Sequence, residues 1–329
     1  MAVTGELLTQ ISIGAVALYT LVTAASRAID RLLALAEYYD VPDVLVGMTV
    51  LALGTSLPEI ASHLIASLGI LSGVLDFEVT SAVVIGGNTG SSTIQQFLLV
   101  GVLLIGYGSV HLTQRFVREN YLPMLGALAV TMVVAWDGTV SRLDGGILLV
   151  LYGIYVAIIF SRRERTQSLR EAPSTNPRRD AVLAIGLLVL VLLAASLMLS
   201  VVEVIVENLA LGGSMIGVVT IGVAAALPEL TTVMDSIRRR SPNVALGTLV
   251  GSNVVNPLVG IGLGGAISTY HVPDAVLLWD LPFKILVGLG LLAWGLYWRN
   301  GELTRTEGGY LLGLYFAFVA GRLLLFPGQ

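Results

Sequence analysis

Residues 46–60 read "VGMTVLALGTSLPEI", and residues 216–230 read "IGVVTIGVAAALPEL". At a constant offset of 170 positions Gly47 aligns with Gly217, Leu57 with Leu227, Pro58 with Pro228 and Glu59 with Glu229. A second pair of segments follows, "GGNTGSSTIQ" (86–95) and "GTLVGSNVVN" (247–256), which sets Gly90 on Gly251, Ser91 on Ser252 and Gln95 on Asn256. Self-similarity of this kind marks a duplicated structural unit. Each copy carries a glutamate directly after a proline inside an otherwise apolar run, and that placement needs a physical reason.

The composition around the motifs is that of a membrane protein. Of 329 residues, 55% are hydrophobic and 12% charged, against about 25% charged in a soluble domain, and the mean hydropathy is +0.87. At roughly 20 residues per span the apolar runs predict ten transmembrane helices: 8–30, 41–70, 78–107, 120–136, 143–161, 181–205, 214–237, 243–268, 277–297 and 308–325. The N-terminal "MAVTGELLTQ" has an acid and no basic segment, so the first run is expected to be a retained span rather than a cleaved signal. The chain has no cysteine, which excludes disulfides, thiolate metal sites and thiol redox chemistry.

Alternate loops separate by charge. One set holds Arg27, Arg31, Arg115, Arg118, the six arginines of 161–180, Arg238 to Arg240, Arg299 and Arg305; the other holds Arg142, Lys284 and Arg322. Because short cytoplasmic loops are enriched in Lys and Arg, the long basic stretch is expected inside and both termini outside the cell membrane. The stretch 161–180, rich in Arg, Ser and Pro, reads as a linker between a first five-helix repeat (1–160) and a second (181–329). Five is odd, so tandem copies enter the membrane from opposite sides. The expected fold is an all-α integral membrane protein of ten transmembrane helices in two inverted five-helix repeats.

A carboxylate at the centre of a span costs about 2.5–3.5 kcal/mol on insertion scales and is by default functional. Each proline removes a backbone donor and frees the carbonyl four residues earlier, here those of Gly54 and Ala224. Two carboxylates beside freed carbonyls form a site for a hard cation, and calcium, with six to eight oxygen ligands, fits best. Helical spacing adds Thr55, Ser56 and His63 around Glu59, then Asn88, Ser91, Ser92 and Gln95, then Ser252, Asn253 and Asn256. Pairs of glycines four apart, Gly86 with Gly90 and Gly247 with Gly251, predict close helix packing rather than a phosphate loop, since the P-loop lysine is missing.

These residues, "GTSLPE" (54–59) followed by a "GxxxGS" helix and duplicated in inverted form, resemble the alpha repeats of the sodium/calcium exchanger family within the cation/calcium exchanger superfamily. The resemblance spans essentially the whole chain. It implies electrogenic exchange of three sodium ions for one calcium by alternating access. It further implies that Glu59 and Glu229 bind calcium with the backbone carbonyls of Thr55 and Ala225, that Ser56, Ser91 and Ser252 serve sodium, and that Gln95 and Asn256 take the central polar positions. This chain departs from the family at Ala225 and Ala226, where Thr-Ser is usual, and at Gln95 and Ser92, where Asn is common. The sodium sites are thereby weakened, and proton-coupled calcium antiport through the glutamates, with His63 near, is the alternative.

No cofactor is expected: the ligands are the transported ions, calcium and sodium with protons as the alternative counter-ion, and the partner is the lipid bilayer, not nucleic acid. A passive channel or an intramembrane hydrolase would also use buried carboxylates, but only the duplicated site calls for alternating access. His63 is expected to serve mainly as a helix-to-helix hydrogen-bonding group. Glu203 and Glu207 are candidates for attracting cations to an entrance, and Asp235 for pairing with the nearby arginines.

Overall fold

The computed structural model describes residues 2–39, 52–161, 174–209, 212–238, 240 and 242–326. The start of the first motif, most of the 161–180 linker, and the side chains of Glu203, Glu207 and Asp235 lie outside the described residues.

Helices dominate. In chain order they are α1 (Ala2–Tyr38), α2 (Ala52–Thr55), α3 (Leu57–Ser72) and α4 (Phe77–Tyr107), then α5 (Leu122–Val134), α6 (Arg142–Ser161) and α7 (Pro177–Leu209). They continue with α8 (Gly213–Gly217), α9 (Leu227–Arg238), α10 (Pro242–Ser268), α11 (Leu281–Ala293) and α12 (Arg305–Leu325). Among the described residues, seven helical segments are long and apolar enough to cross a membrane. Of the other three expected spans, 41–70 begins outside the described residues and its described part turns at Ser56, 214–237 turns at Ala226, and 120–136 is a helix that changes from a π to an α turn. Proline explains the interruptions: Pro58 lies in the first turn of α3 after a break at Ser56, and Pro123 follows a π-helical turn, Val117–Tyr121. A π turn relocates backbone bonds around a residue that cannot donate one.

Burial separates the helices into two classes. In α4 and α10, 78% and 72% of the apolar window is buried, against a third or less in the other five long segments; α4 and α10 are therefore the interior of the bundle. Long helices α1 and α7 pack side by side through Leu21, Ala24 and Ala25 against Val191, Ala194 and Ala195, small residues that bring two helices close.

The glycine prediction holds for Gly86 and Gly90 and fails at Gly247. A Cβ at Gly86 would overlap the Ser214 carbonyl and one at Gly217 the Val83 carbonyl, so α4 and α8 touch backbone to backbone. Gly247 has open space around it and makes no such approach; its expected packing role is not borne out.

Two short antiparallel sheets tie the loops. β1 (Ser109–His111) pairs with β4 (Glu302–Thr304), and β2 (Thr139–Val140) pairs with β3 (Tyr270–His271). Each pair joins the loop that follows an interior helix, α4 or α10, to a loop from the other half of the chain.

Candidate cation site

Glu59 and Glu229 meet in the interior, 1% and 0% exposed. The local cause is the same in both copies: a short helix ends at Thr55 or Ala225, the chain turns at Ser56 or Ala226, and a new helix begins with the glutamate in its first turn. The helix N-terminus carries partial positive charge, which favours a carboxylate there. The expected kinks are thus one-residue turns between two helices.

The interior helices supply the partners. Ser91 of α4 donates its hydroxyl to Glu59 Oε1 at 2.7 Å, and Asn256 of α10 donates its amide to the same oxygen at 3.2 Å. Ser252 donates to Glu229 Oε1 at 2.9 Å and shares a 3.0 Å hydrogen bond with the Thr55 hydroxyl, which also bonds the Glu229 carboxylate. Gln95 links the halves by donating to Ser91 at 3.1 Å and accepting from Asn253 at 2.8 Å. Ser56 and Ala225 complete the set, both buried beside the breaks. Hydrogen bonds thus hold Thr55, Glu59, Ser91, Gln95, Glu229, Ser252 and Asn256 in one buried polar centre, while Ser56 and Ala225 are buried next to it along the chain.

Five side-chain oxygens of this centre are buried with no hydrogen-bond partner: Ser56 Oγ, Glu59 Oε2, Glu229 Oε2, Asn253 Oδ1 and Asn256 Oδ1. An unsatisfied buried acceptor costs about 1–3 kcal/mol, so five in one place form an oxygen-rich centre short of positive charge. Among the described residues no three His, Asp or Glu converge, so a cation here would be held by two carboxylates and neutral oxygens. Hard cations accept that donor set.

Polar residues flanking the centre have other tasks. Ser92 bonds the Asn88 carbonyl at 2.7 Å. His63 meets Tyr270 through Nδ1 at 3.3 Å and Asn88 through Nε2 at 3.1 Å, and Asn88 donates to the Asn256 carbonyl at 2.7 Å. His63 therefore joins helices, as expected. A cavity of about 310 Å³, lined in part by Glu78, Ser214, His271 and Asp274, opens where α4 and α8 begin.

Sequence reasoning misassigned a second buried cluster. Lys284 and Arg322, counted above as loop charges, lie within α11 and α12 at 1% exposure, with Asp280 at 0%. Arg322 Nε stands 3.6 Å from Asp280 Oδ1, and Arg322 also donates to the Ser214 hydroxyl. Thr89 of α4 donates to Asp280 Oδ2 at 3.2 Å and accepts from Lys284 Nζ at 3.5 Å. The signal was available, because the cost of an intramembrane charge that singled out Glu59 applies equally to a lysine inside span 277–297.

The sequence profile described as "Sodium/calcium exchanger protein" matches residues 10–161 and 180–324. The inner membrane protein YrbG of Escherichia coli (strain K12) is 27% identical over 326 residues, covering 95% of this chain and 96% of its own. Among solved structures, the sodium-calcium exchanger NCX_Mj aligns with a TM-score of 0.63 at 22% identity, covering 95% of this chain and 99% of that one. The H+/Ca2+ exchanger CAX aligns at 0.75 and 14% identity, covering 96% and 86%. These likenesses agree on the fold, and the profile match extends over both halves of the duplicated motif: the chain belongs to the sodium/calcium exchanger family.

Proposed function

We propose that this protein is a calcium antiporter of the cell membrane, working by alternating access through the Glu59/Glu229 centre, with sodium as the counter-ion. The observation that carries this reading is the set of five unpartnered buried oxygens around two carboxylates. Calcium is bound by Glu59 and Glu229 with the carbonyls of Thr55 and Ala225; Ser56, Ser91 and Ser252 serve sodium, and Gln95 and Asn256 hold the centre in shape. The centre is closed to solvent, so an ion enters only when helices move, which suits an exchanger better than an open channel.

The proposed architecture is ten spans in two inverted repeats, 1–160 and 181–329, joined by a basic cytoplasmic linker at 161–180, with both termini outside. Recurring elements support it. α4 and α10 each contain a six-residue π turn, Ile94–Leu99 and Asn256–Ile261. Five-residue π turns, Val117–Tyr121 and Val276–Asp280, each precede a 13-residue helix with proline in its first turn. The β1–β4 and β3–β2 pairings are the same pairing exchanged between halves. With Lys284 and Arg322 inside the bundle, Arg142 alone remains against the loop-charge asymmetry.

Proton coupling is the second reading, favoured by Ala225 and Ala226, which bring no hydroxyl to the second copy. The test is calcium uptake into proteoliposomes under an imposed sodium or pH gradient. Uptake driven by outward sodium supports the proposal, and uptake that ignores sodium but follows pH establishes the second reading. No uptake under either gradient overturns both.

A further inference from the structure

The Asp280–Lys284–Arg322 cluster lies behind the cation centre on the same interior helix. Thr89, which holds both Asp280 and Lys284, is the neighbour of Asn88 and lies about 140° around α4 from the face that presents Ser91 and Gln95. Arg322 is always charged and balances Asp280 at 3.6 Å, with both groups at most 1% exposed. With two cations against one carboxylate the cluster holds one excess positive charge, and Lys284 carries its ammonium to α4, where it rests on the Thr89 carbonyl at 3.5 Å.

Helix clamping does not require that charge. Gln96 already ties α4 to α11 by donating to the Lys284 carbonyl at 3.1 Å, and Tyr121, just before α5, bonds the Gly288 carbonyl of α11 at 3.0 Å. Matching the π turns and the helices that follow them sets Tyr121 on Asp280 and Leu125 on Lys284, while the interior helices set Val250 on Thr89. In the first-half pairing those residues, Tyr121, Leu125 and Val250, sit in one hydrophobic cluster. The same helix pair is thus built once without charge and once around a buried cation.

We propose that Lys284 is a specificity-determining residue, a fixed internal cation that weakens the hold of the two-glutamate centre on each mobile cation in proportion to that ion's charge. The proposal rests on the centre being the cation site. Coulomb interaction scales with the product of charges, and little water or salt screens it inside the bundle. Across roughly one helix diameter, about 10 Å, and at an effective dielectric near 20, one fixed charge lowers monovalent affinity about tenfold and divalent affinity about a hundredfold. Lys284 thereby brings calcium and sodium affinities closer and lets sodium displace a divalent ion that two bare glutamates would retain.

Equilibrium binding of calcium and of sodium to the purified full-length protein tests this. Lys284→Met should tighten calcium by about the square of the factor for sodium, Lys284→Arg should leave both unchanged, and Asp280→Asn should weaken both, calcium more. The double variant Asp280→Asn with Lys284→Met restores the original cluster charge and should return both affinities to near their starting values, which keeps the test open if a single variant folds poorly. An unchanged calcium affinity in Lys284→Met, equal losses for both ions, or a double variant that does not recover would overturn the role of Lys284. Failure of the wild-type protein to bind calcium, or undiminished binding by Glu59→Gln, would overturn the site itself and the proposal with it.

Discussion

Asn256 donates its side-chain amide to Glu59 Oε1 at 3.2 Å, so a carboxylate in the first half of the chain is held by a residue 197 positions later. Thr55 and Ser252, also 197 positions apart, share a 3.0 Å hydrogen bond beside the second carboxylate. Neither half contains a complete centre. The two glutamates become one site only where the interior helices cross between the broken ones.

Glu59→Gln and Glu229→Gln should each lower calcium uptake in proteoliposomes roughly 100-fold, since hydrogen bonds and ligand contacts to a charged group contribute about 1.5–3 kcal/mol. The unfolding temperature should hold or rise, because a buried membrane carboxylate is costly. Calcium uptake within twofold of wild type in either variant would remove that glutamate from the site.

Ser56 separates a structural from a ligand role. Its hydroxyl is 0% exposed and unpartnered, so Ser56→Ala loses no protein hydrogen bond and should change the thermal midpoint little. If the hydroxyl meets sodium, the sodium concentration for half-maximal exchange rises several-fold. Equal sodium dependence in both proteins would show that the hydroxyl is no ligand. The converse variant, Ala225→Thr with Ala226→Ser, should lower that concentration provided the added atoms fit at positions 1% and 3% exposed; overpacking would show as a lower thermal midpoint.

Glycine matters where a neighbouring atom fills the place of a Cβ. Gly217→Ala would drive a methyl into the Val83 carbonyl and should destabilise the protein by about 1–3 kcal/mol or more. Gly247→Ala meets nothing within 4 Å and should be neutral or slightly stabilising, by up to about 1 kcal/mol, because alanine is the better helix former. Thermal unfolding in detergent reads both; equal effects would contradict this packing.

The cysteine-free background makes topology directly measurable. Asp274→Cys and Thr175→Cys are at exposed positions, and an impermeant thiol reagent applied to intact cells should label the first and not the second. The reverse pattern would invert the proposed orientation.

Much of this protein was legible in the sequence because a membrane punishes exceptions. Pro58–Glu59 and Pro228–Glu229 stand out in apolar runs since lipid offers no partner for a charge or a freed carbonyl. The span limits follow from the same solvent: expected spans 78–107 and 243–268 match α4 and α10 to within a residue. What lay beyond sequence was pairing. Period and repeat identify Ser91, Gln95, Ser252, Asn253 and Asn256 as polar faces, yet only tertiary packing sends Asn256 to Glu59 and Gln95 to Asn253. Lys284 and Arg322 show the limit most clearly. Their places inside the expected spans 277–297 and 308–325 were readable from the sequence, but only the meeting of α4, α11 and α12 gathers them with Asp280 and Thr89. The hydrophobic pattern determines which residues enter the membrane; which buried polar groups meet depends on how helices distant in sequence cross.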